Sequence, residues 1–209
     1  MATSCKAKPP LYKIVLIGDS GVGKTSIIET LMNQDECNND DDDVSTSSTM
    51  GVAMGVEYHM KMFDIAEPGR LFSCRKIQVL AQIRDVTGEE RFAKVLLPAY
   101  LRKGKARGVI VILVYDITNA KSFESLSKKW MPLLDLLPSD DLELMKVLIG
   151  NKSDLEVNRQ VPLEKVEHFC VNNGIVQMVE TSARKSINAC QVNVLQTFEN
   201  VIGNGYYCK

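Results

Sequence analysis

One stretch limits the fold more than any other. Leu11–Gly18 reads LYKIVLIG, a near-continuous apolar run, and it passes directly into Gly18-Asp19-Ser20-Gly21-Val22-Gly23-Lys24-Thr25. A run of that kind suits a strand buried on both faces. The glycines that follow let the backbone turn tightly, so that successive N–H groups point inward. The pattern G-x-x-x-x-G-K-[ST] sets this turn between a strand and a helix, and the helix beginning at Lys24 adds its positive N-terminal end. Such a cradle fits a phosphate chain. Lys24 is then expected to reach β- and γ-phosphates, and the Thr25 hydroxyl to ligate Mg²⁺.

The remaining chain carries the same strand–helix alternation. Gly108–Tyr115 (GVIVILVY) is a second continuous apolar run, and Leu144–Gly150 and Ile175–Val179 are weaker ones. Phe123, Leu126, Trp130, Leu133, Leu134 and Leu137 step by three and four, with Pro132 expected to kink or shorten their helix. Ile187, Cys190, Val194, Phe198 and Val201 make another helical face that is expected to end near Ile202. Two segments, around Met54–Met62 and Lys76–Arg84, alternate with period two and flank Glu67-Pro68-Gly69-Arg70. They read as an antiparallel hairpin at one edge of the sheet. The pattern therefore predicts an α/β chain whose mostly parallel sheet is covered by helices on both faces.

Composition narrows the setting. A chain of 209 residues is expected to form one main domain over 11–202, after an N-terminal extension (1–10) and before a short tail (203–209). A net charge of −1 does not suit a nucleic-acid partner. No apolar run approaches the roughly 18 residues of a membrane helix. The six cysteines lie far apart with no C-x-x-C pair, which speaks against a zinc site and for a reducing compartment. Asn33–Thr49 holds six acidic residues and no aromatic, so an acidic insert is expected near 34–49.

A second motif selects the base. Asn151-Lys152-Ser153-Asp154 follows the Leu144–Gly150 strand at the expected carboxyl edge of the sheet. A carboxylate at Asp154 can accept from both N1–H and the exocyclic amine of guanine, a donor pair that adenine lacks. Asn151 can bridge towards N7 and the phosphate loop, and the Lys152 stem can lie along the ring. An ATP-using kinase would have to ignore this motif.

GDSGVGKTS, MGVEY, DVTGEERF, LVYDIT, GNKSD and ETSAR occur in the order found in small GTPases of the Ras superfamily, and the chain most resembles the Rab branch. The resemblance spans about Leu11 to Ile202. It implies a P-loop G domain with a six-stranded sheet, bound GTP or GDP with Mg²⁺, and two switch segments read by effector and regulatory proteins. The implied nucleotide-binding set is Gly18, Asp19, Ser20, Gly21, Val22, Gly23, Lys24, Thr25, Ser26, Asn151, Lys152, Asp154, Ser182, Ala183 and Arg184. Backbone N–H groups at Ser182 and Ala183 would approach guanine O6. Asp85 would hold Mg²⁺ through a water, and the Gly88 N–H would sense the γ-phosphate.

The chain departs from the family where the nucleotide state is read. Glu89 stands where a glutamine usually orients the attacking water, so Lys24, Gly88 and Glu89 are the residues expected to act in hydrolysis. Two segments compete for the first-switch threonine: Thr49-Met50-Gly51-Val52 and Ala53-Met54-Gly55-Val56. Counting back from Val56-Glu57-Tyr58 puts Ala53 at the Mg²⁺-ligating position, and Thr49 could serve only if the duplicated segment bulges outward. Glu36 falls where an aromatic usually flanks guanine, and Arg84 replaces a tryptophan that partners often read. Cys208 is next to last and fits no standard prenylation motif.

The sequence supports two functions. One is a monomeric Rab-like switch that binds GTP and hydrolyses it slowly with an arginine supplied in trans, cytoplasmic or held at membranes by a partner. The other is a guanine-nucleotide-binding scaffold with little hydrolysis.

Overall fold

The computed structural model describes residues 8–33, 49–53, 56–66, 76–86, 88, 90–136, 144–183 and 194–207. The strands are β1 (Leu11–Ile17), β2 (Thr49–Ala53), β3 (Val56–Ala66), β4 (Lys76–Asp85), β5 (Gly108–Asp116), β6 (Leu144–Asn151) and β7 (Gln177–Glu180). Helices α1 (Lys24–Asn33), α2 (Glu90–Leu101), α3 (Ala120–Ser125), α4 (Met131–Asp135), α5 (Leu163–Asn172) and α6 (Val194–Tyr207) lie between and after them. A π turn, Leu126–Trp130, joins α3 to α4, and a 3₁₀ segment, Ser153–Asn158, follows β6.

All described strands form one sheet in the order β2-β3-β4-β1-β5-β6-β7. β1 pairs in parallel with β4 and β5, β5 with β6, and β6 with β7, while β2-β3 and β3-β4 are antiparallel. Alternation along β1 divides the core. Ile14 and Leu16 pack with α1 and α6 residues such as Ile28, Leu31, Phe198 and Val201. Val15 and Ile17 pack with Leu97, Leu126, Trp130 and Phe169 from the helices of the opposite face. Both faces of the central strands are covered, which explains their unbroken apolar sequence.

The α/β architecture agrees with the sequence, and three details differ. The sheet has seven strands among the described residues rather than six, because the duplicated switch segment is itself a strand. β2 pairs with β3 from Ala53↔Val56 to Thr49↔Met60, so the β3-β4 hairpin is one strand in from the edge. Helix α6 runs to Tyr207, five residues past its expected end at Ile202, despite Gly203 and Gly205. Tyr12 Oη donates to the Gly205 carbonyl at 3.2 Å, and Arg107 lies 4.1 Å from the Tyr206 ring. Tertiary contact there overrides weak helix propensity.

The buried face of β3 is the one that carries Lys61. Lys61 is 1% exposed beside buried Phe63 and Ile65, whereas Tyr58, Met60 and Met62 are half-buried. The Lys61 ammonium donates to the Leu31 carbonyl at 2.6 Å, in the last turn of α1. Its aliphatic stem crosses the core and its charge meets the negative end of a helix.

Candidate nucleotide site

The carboxyl ends of β1, β4, β5 and β6 lie on the same side of the sheet, as expected for ligand loops of an open parallel sheet. After β1, the chain turns through 18–23 and enters α1 at Lys24, with Ile27 N–H donating to the Gly23 carbonyl at 3.0 Å. Gly23 has φ +96°, and a Cβ there would fall 2.2 Å from Asn151 Nδ2. Neither feature tolerates a side chain.

A cavity of about 290 Å³ opens over this turn, lined by Ser20, Lys24, Thr25, Ser26, Asp85 and Gly88 among others. Lys24 is 6% exposed, and its ammonium donates to the Gly18 carbonyl at 2.9 Å and the Asp19 carbonyl at 3.0 Å. An ammonium has three donors, so one remains for a ligand in the cavity. Burial pulls the Lys24 ammonium below the usual lysine range, while the Asp85 and Asp19 carboxylates oppose that shift. An anionic ligand would reinforce the charged form.

Thr25 Oγ1 donates to Asp85 Oδ2, and Asp85 Oδ1 is buried with no partner among the described residues. A hydroxyl and a carboxylate meeting at a cavity wall are hard oxygen donors that suit Mg²⁺, which commonly takes one or two protein oxygens and fills its octahedron with phosphate and water. The residues present fit that ion. Gly88 leans on the phosphate loop so closely that a Cβ would fall 2.2 Å from Ser20 N.

The side chain of Thr49 lies outside the described residues, and its backbone belongs to β2. Its register partner is Met60, which pairs with Gln82, three residues before Asp85. At about 3.3 Å per residue, that is roughly 10 Å short along the strand. Ala53 instead pairs with Val56, at the end of β3 nearest Asp85. The duplicated residues extend the sheet as a strand, and Thr49 as a metal ligand stays the expectation drawn from the sequence.

The base-reading motif lies across from the cradle. Asn151 is 1% exposed and donates from Nδ2 to the Val22 carbonyl at 2.9 Å, joining the two motifs. Lys152 has φ +66°, the one positive value outside glycine among the described residues. This left-handed residue turns the chain from β6 into the 3₁₀ segment. Its ammonium meets Asp116 Oδ2 at 2.5 Å. Burial would raise the Asp116 carboxyl, but hydrogen bonds from Lys152 and Thr118 outweigh it and hold the group below its ordinary value.

Asp154 accepts from Ser182 Oγ at 2.7 Å through Oδ1, leaving Oδ2 for a ligand. Ser153 N–H donates to the Thr181 carbonyl at 3.1 Å and Thr181 N–H to the Gly150 carbonyl at 2.8 Å, stitching the 181–183 loop to the base motif. Thr30 Oγ1 adds a bond to the Ala183 carbonyl at 3.0 Å from α1. Glu89 and Arg184 lie outside the described residues, as do Glu36 and most of the acidic insert. Arg84 is half-buried, with its guanidinium 4.8 Å from the Tyr100 ring centre and 5.8 Å from that of Tyr58.

Sequence reasoning missed Asp116, although LVYDIT contains it. The usable signal was a carboxylate at a strand end two residues before a threonine, the pattern of an Asx turn. Thr118 N–H and Oγ1 do donate to Asp116 Oδ1, at 2.8 and 2.7 Å. It also missed Ser125 and Trp130, whose role at Asp19 depends on a distortion that side-chain spacing does not reveal.

Comparison with known proteins agrees with this geometry. A sequence model of the Ras family matches residues 13–204. Ras-related protein Rab-13 of Bos taurus is 36% identical over 183 residues, covering 88% of this chain and 76% of that protein. Ras-related protein Rab-10 of Diplobatis ommata is 37% identical over 179 residues, covering 85% and 75%. Ras-related protein Rab-8B of Homo sapiens is 34% identical over 178 residues, covering 85% and 72%. With matches of that extent over a phosphate cradle joined to a guanine-reading motif, the chain belongs to the Ras family of small GTPases, on its Rab branch.

Proposed function

We propose that the protein is a guanine-nucleotide switch that binds GTP and GDP with Mg²⁺, hydrolyses GTP slowly, and changes protein partners in membrane traffic or signalling. The observation that carries this reading is the Asn151–Val22 bond, which fixes the base motif to the phosphate cradle. Lys24 places its remaining donor over the cavity to bind β- and γ-phosphate oxygens. Thr25 and Asp85 would hold Mg²⁺, which when bound neutralises charge on the phosphates. Asp154 Oδ2 selects guanine, and the Gly88 N–H reads the γ-phosphate.

Hydrolysis needs a water aligned on the γ-phosphorus and breaks its bond to the bridging oxygen, releasing GDP and phosphate. Glu89 orients that water in place of the family's amide, at a cost in charge repulsion that makes turnover slow. An arginine supplied by a partner then stabilises the charge that develops. The test is single-turnover hydrolysis of GTP in Mg²⁺ buffer by the protein and by Glu89→Gln and Lys24→Ala variants. Slow turnover that Lys24→Ala abolishes and Glu89→Gln alters supports the reading, and no turnover in any of them contradicts it.

The Ala53 register favours a second reading, a guanine-nucleotide-binding scaffold with little switching. Without a first-switch hydroxyl, the γ-phosphate has one fewer lever on that segment. Equal affinity of a partner for the GDP and GTP-analogue states would select it.

A further inference from the structure

The second residue of the phosphate loop is tied to a helix more than a hundred residues away. Asp19 Oδ1 accepts from Ser125 Oγ at 2.6 Å and from Trp130 Nε1 at 3.0 Å, and Lys129 Nζ lies 3.9 Å from the same oxygen. Trp130 is fully buried and Ser125 nearly so. Neither donor belongs to a nucleotide-binding motif.

The convergence has a local cause. Ser125 and Trp130 are five residues apart, a spacing that does not share a face on a regular α-helix. Between them Leu126–Trp130 is a π turn, in which Met131 N–H donates to the Leu126 carbonyl five residues back. Pro132 follows, with no N–H to donate and a ring that crowds the carbonyl four residues earlier. The helix relieves that conflict by widening, and the wider turn stacks residues i and i+5. Single π turns of this kind recur at functional sites.

Asp19 passes the contact on. Its own carbonyl accepts from Lys24 Nζ at 3.0 Å, and its carbonyl carbon lies 2.6 Å from the position of a Cβ on Gly88. We infer that Ser125 and Trp130 are positioning residues for the phosphate loop, acting through Asp19 on Lys24 and Gly88. The π turn thereby helps set how firmly the γ-phosphate is held. This inference rests on the nucleotide-binding reading above.

The test follows release of fluorescent methylanthraniloyl-GDP and of the corresponding non-hydrolysable GTP analogue from the full-length protein in Mg²⁺ buffer. Ser125→Ala, Trp130→Phe and Asp19→Ala are compared with Asp19→Asn, whose amide oxygen can still accept both bonds. Loss of a tether bond should speed release of the triphosphate analogue about five- to tenfold, with a smaller change for GDP. Asp19→Asn should lie between wild type and Asp19→Ala. Trp130 is the single tryptophan, so indole emission should shift in Asp19→Ala even without nucleotide.

Circular dichroism melts report whether each variant folds, and Ser125→Ala with Asp19→Asn carry the test if the others do not. Wild-type release rates in these variants would overturn the inference. Equal acceleration for both nucleotides would also overturn it, by reducing the tether to general stability. A wild-type protein that retains neither nucleotide would overturn the nucleotide-binding reading, and this inference with it.

Discussion

The side-chain amide of Asn151 donates to the main-chain carbonyl of Val22 at 2.9 Å, across 129 positions of sequence. It joins the end of β6 to the turn after β1, the two places where the chain carries its most specific motifs. The two motifs are therefore joined directly, in front of strands buried on both faces.

Asn151→Ala should cost more than its own contact. Removing the donor leaves the Val22 carbonyl buried and unpaired, a loss of about 1–3 kcal/mol. GDP affinity measured by titration calorimetry should fall about tenfold or more, with little change in base preference because Asp154 is untouched. Unchanged affinity would show that the two motifs are not coupled through this bond.

Gly23→Ala should be worse tolerated than most single substitutions in the loop. The new methyl would need φ near +96° and would meet Asn151 Nδ2 at 2.2 Å. Loss of nucleotide binding together with a lower melting temperature is the expected outcome. Binding at the wild-type level would contradict the tight cradle described above.

Asp116→Asn tests the charge behind the base loop. The native Asp116 carboxyl titrates below its unfolded value, so the folded state favours the ionised form. That stability is present above the unfolded value near pH 3.9 and is lost as pH falls through the native one. Urea midpoints should place the variant about 2 kcal/mol below wild type at pH 7. The gap should hold down to about pH 5 and close below pH 4. A gap independent of pH would assign the loss to packing instead.

Asp154→Asn should move base preference from guanine towards xanthine. The amide replaces one acceptor with a donor, which suits a carbonyl in place of the exocyclic amine. Competition between GDP and XDP for the variant reads this directly, and retained guanine preference would remove Asp154 from base recognition.

Most of the site was legible because it is local. A glycine turn, a lysine and a hydroxyl need only their own few residues to form a cradle, and Asn151, Lys152 and Asp154 likewise arrive as one strand end. What escaped depends on contacts between distant segments. Thr49 and Ala53 could be ranked only by counting, because the pairing of β2 on β3 joins segments that the sequence alone does not align. Lys61 alternates with apolar residues as if it faced water, yet the Leu31 carbonyl offers it a partner inside. The last helix was expected to end near Ile202, and the packing of Tyr12 against Gly205 carries it on to Tyr207. Pro132 did announce a distortion, but not that the distortion would aim Ser125 and Trp130 at Asp19.

The most direct test is the nucleotide released when freshly purified protein is denatured in Mg²⁺ buffer and the supernatant is resolved by anion-exchange chromatography. The account predicts close to one equivalent of guanine nucleotide, chiefly GDP if the protein turns over its ligand. Protein that emerges empty, or that carries adenine nucleotide, would contradict it.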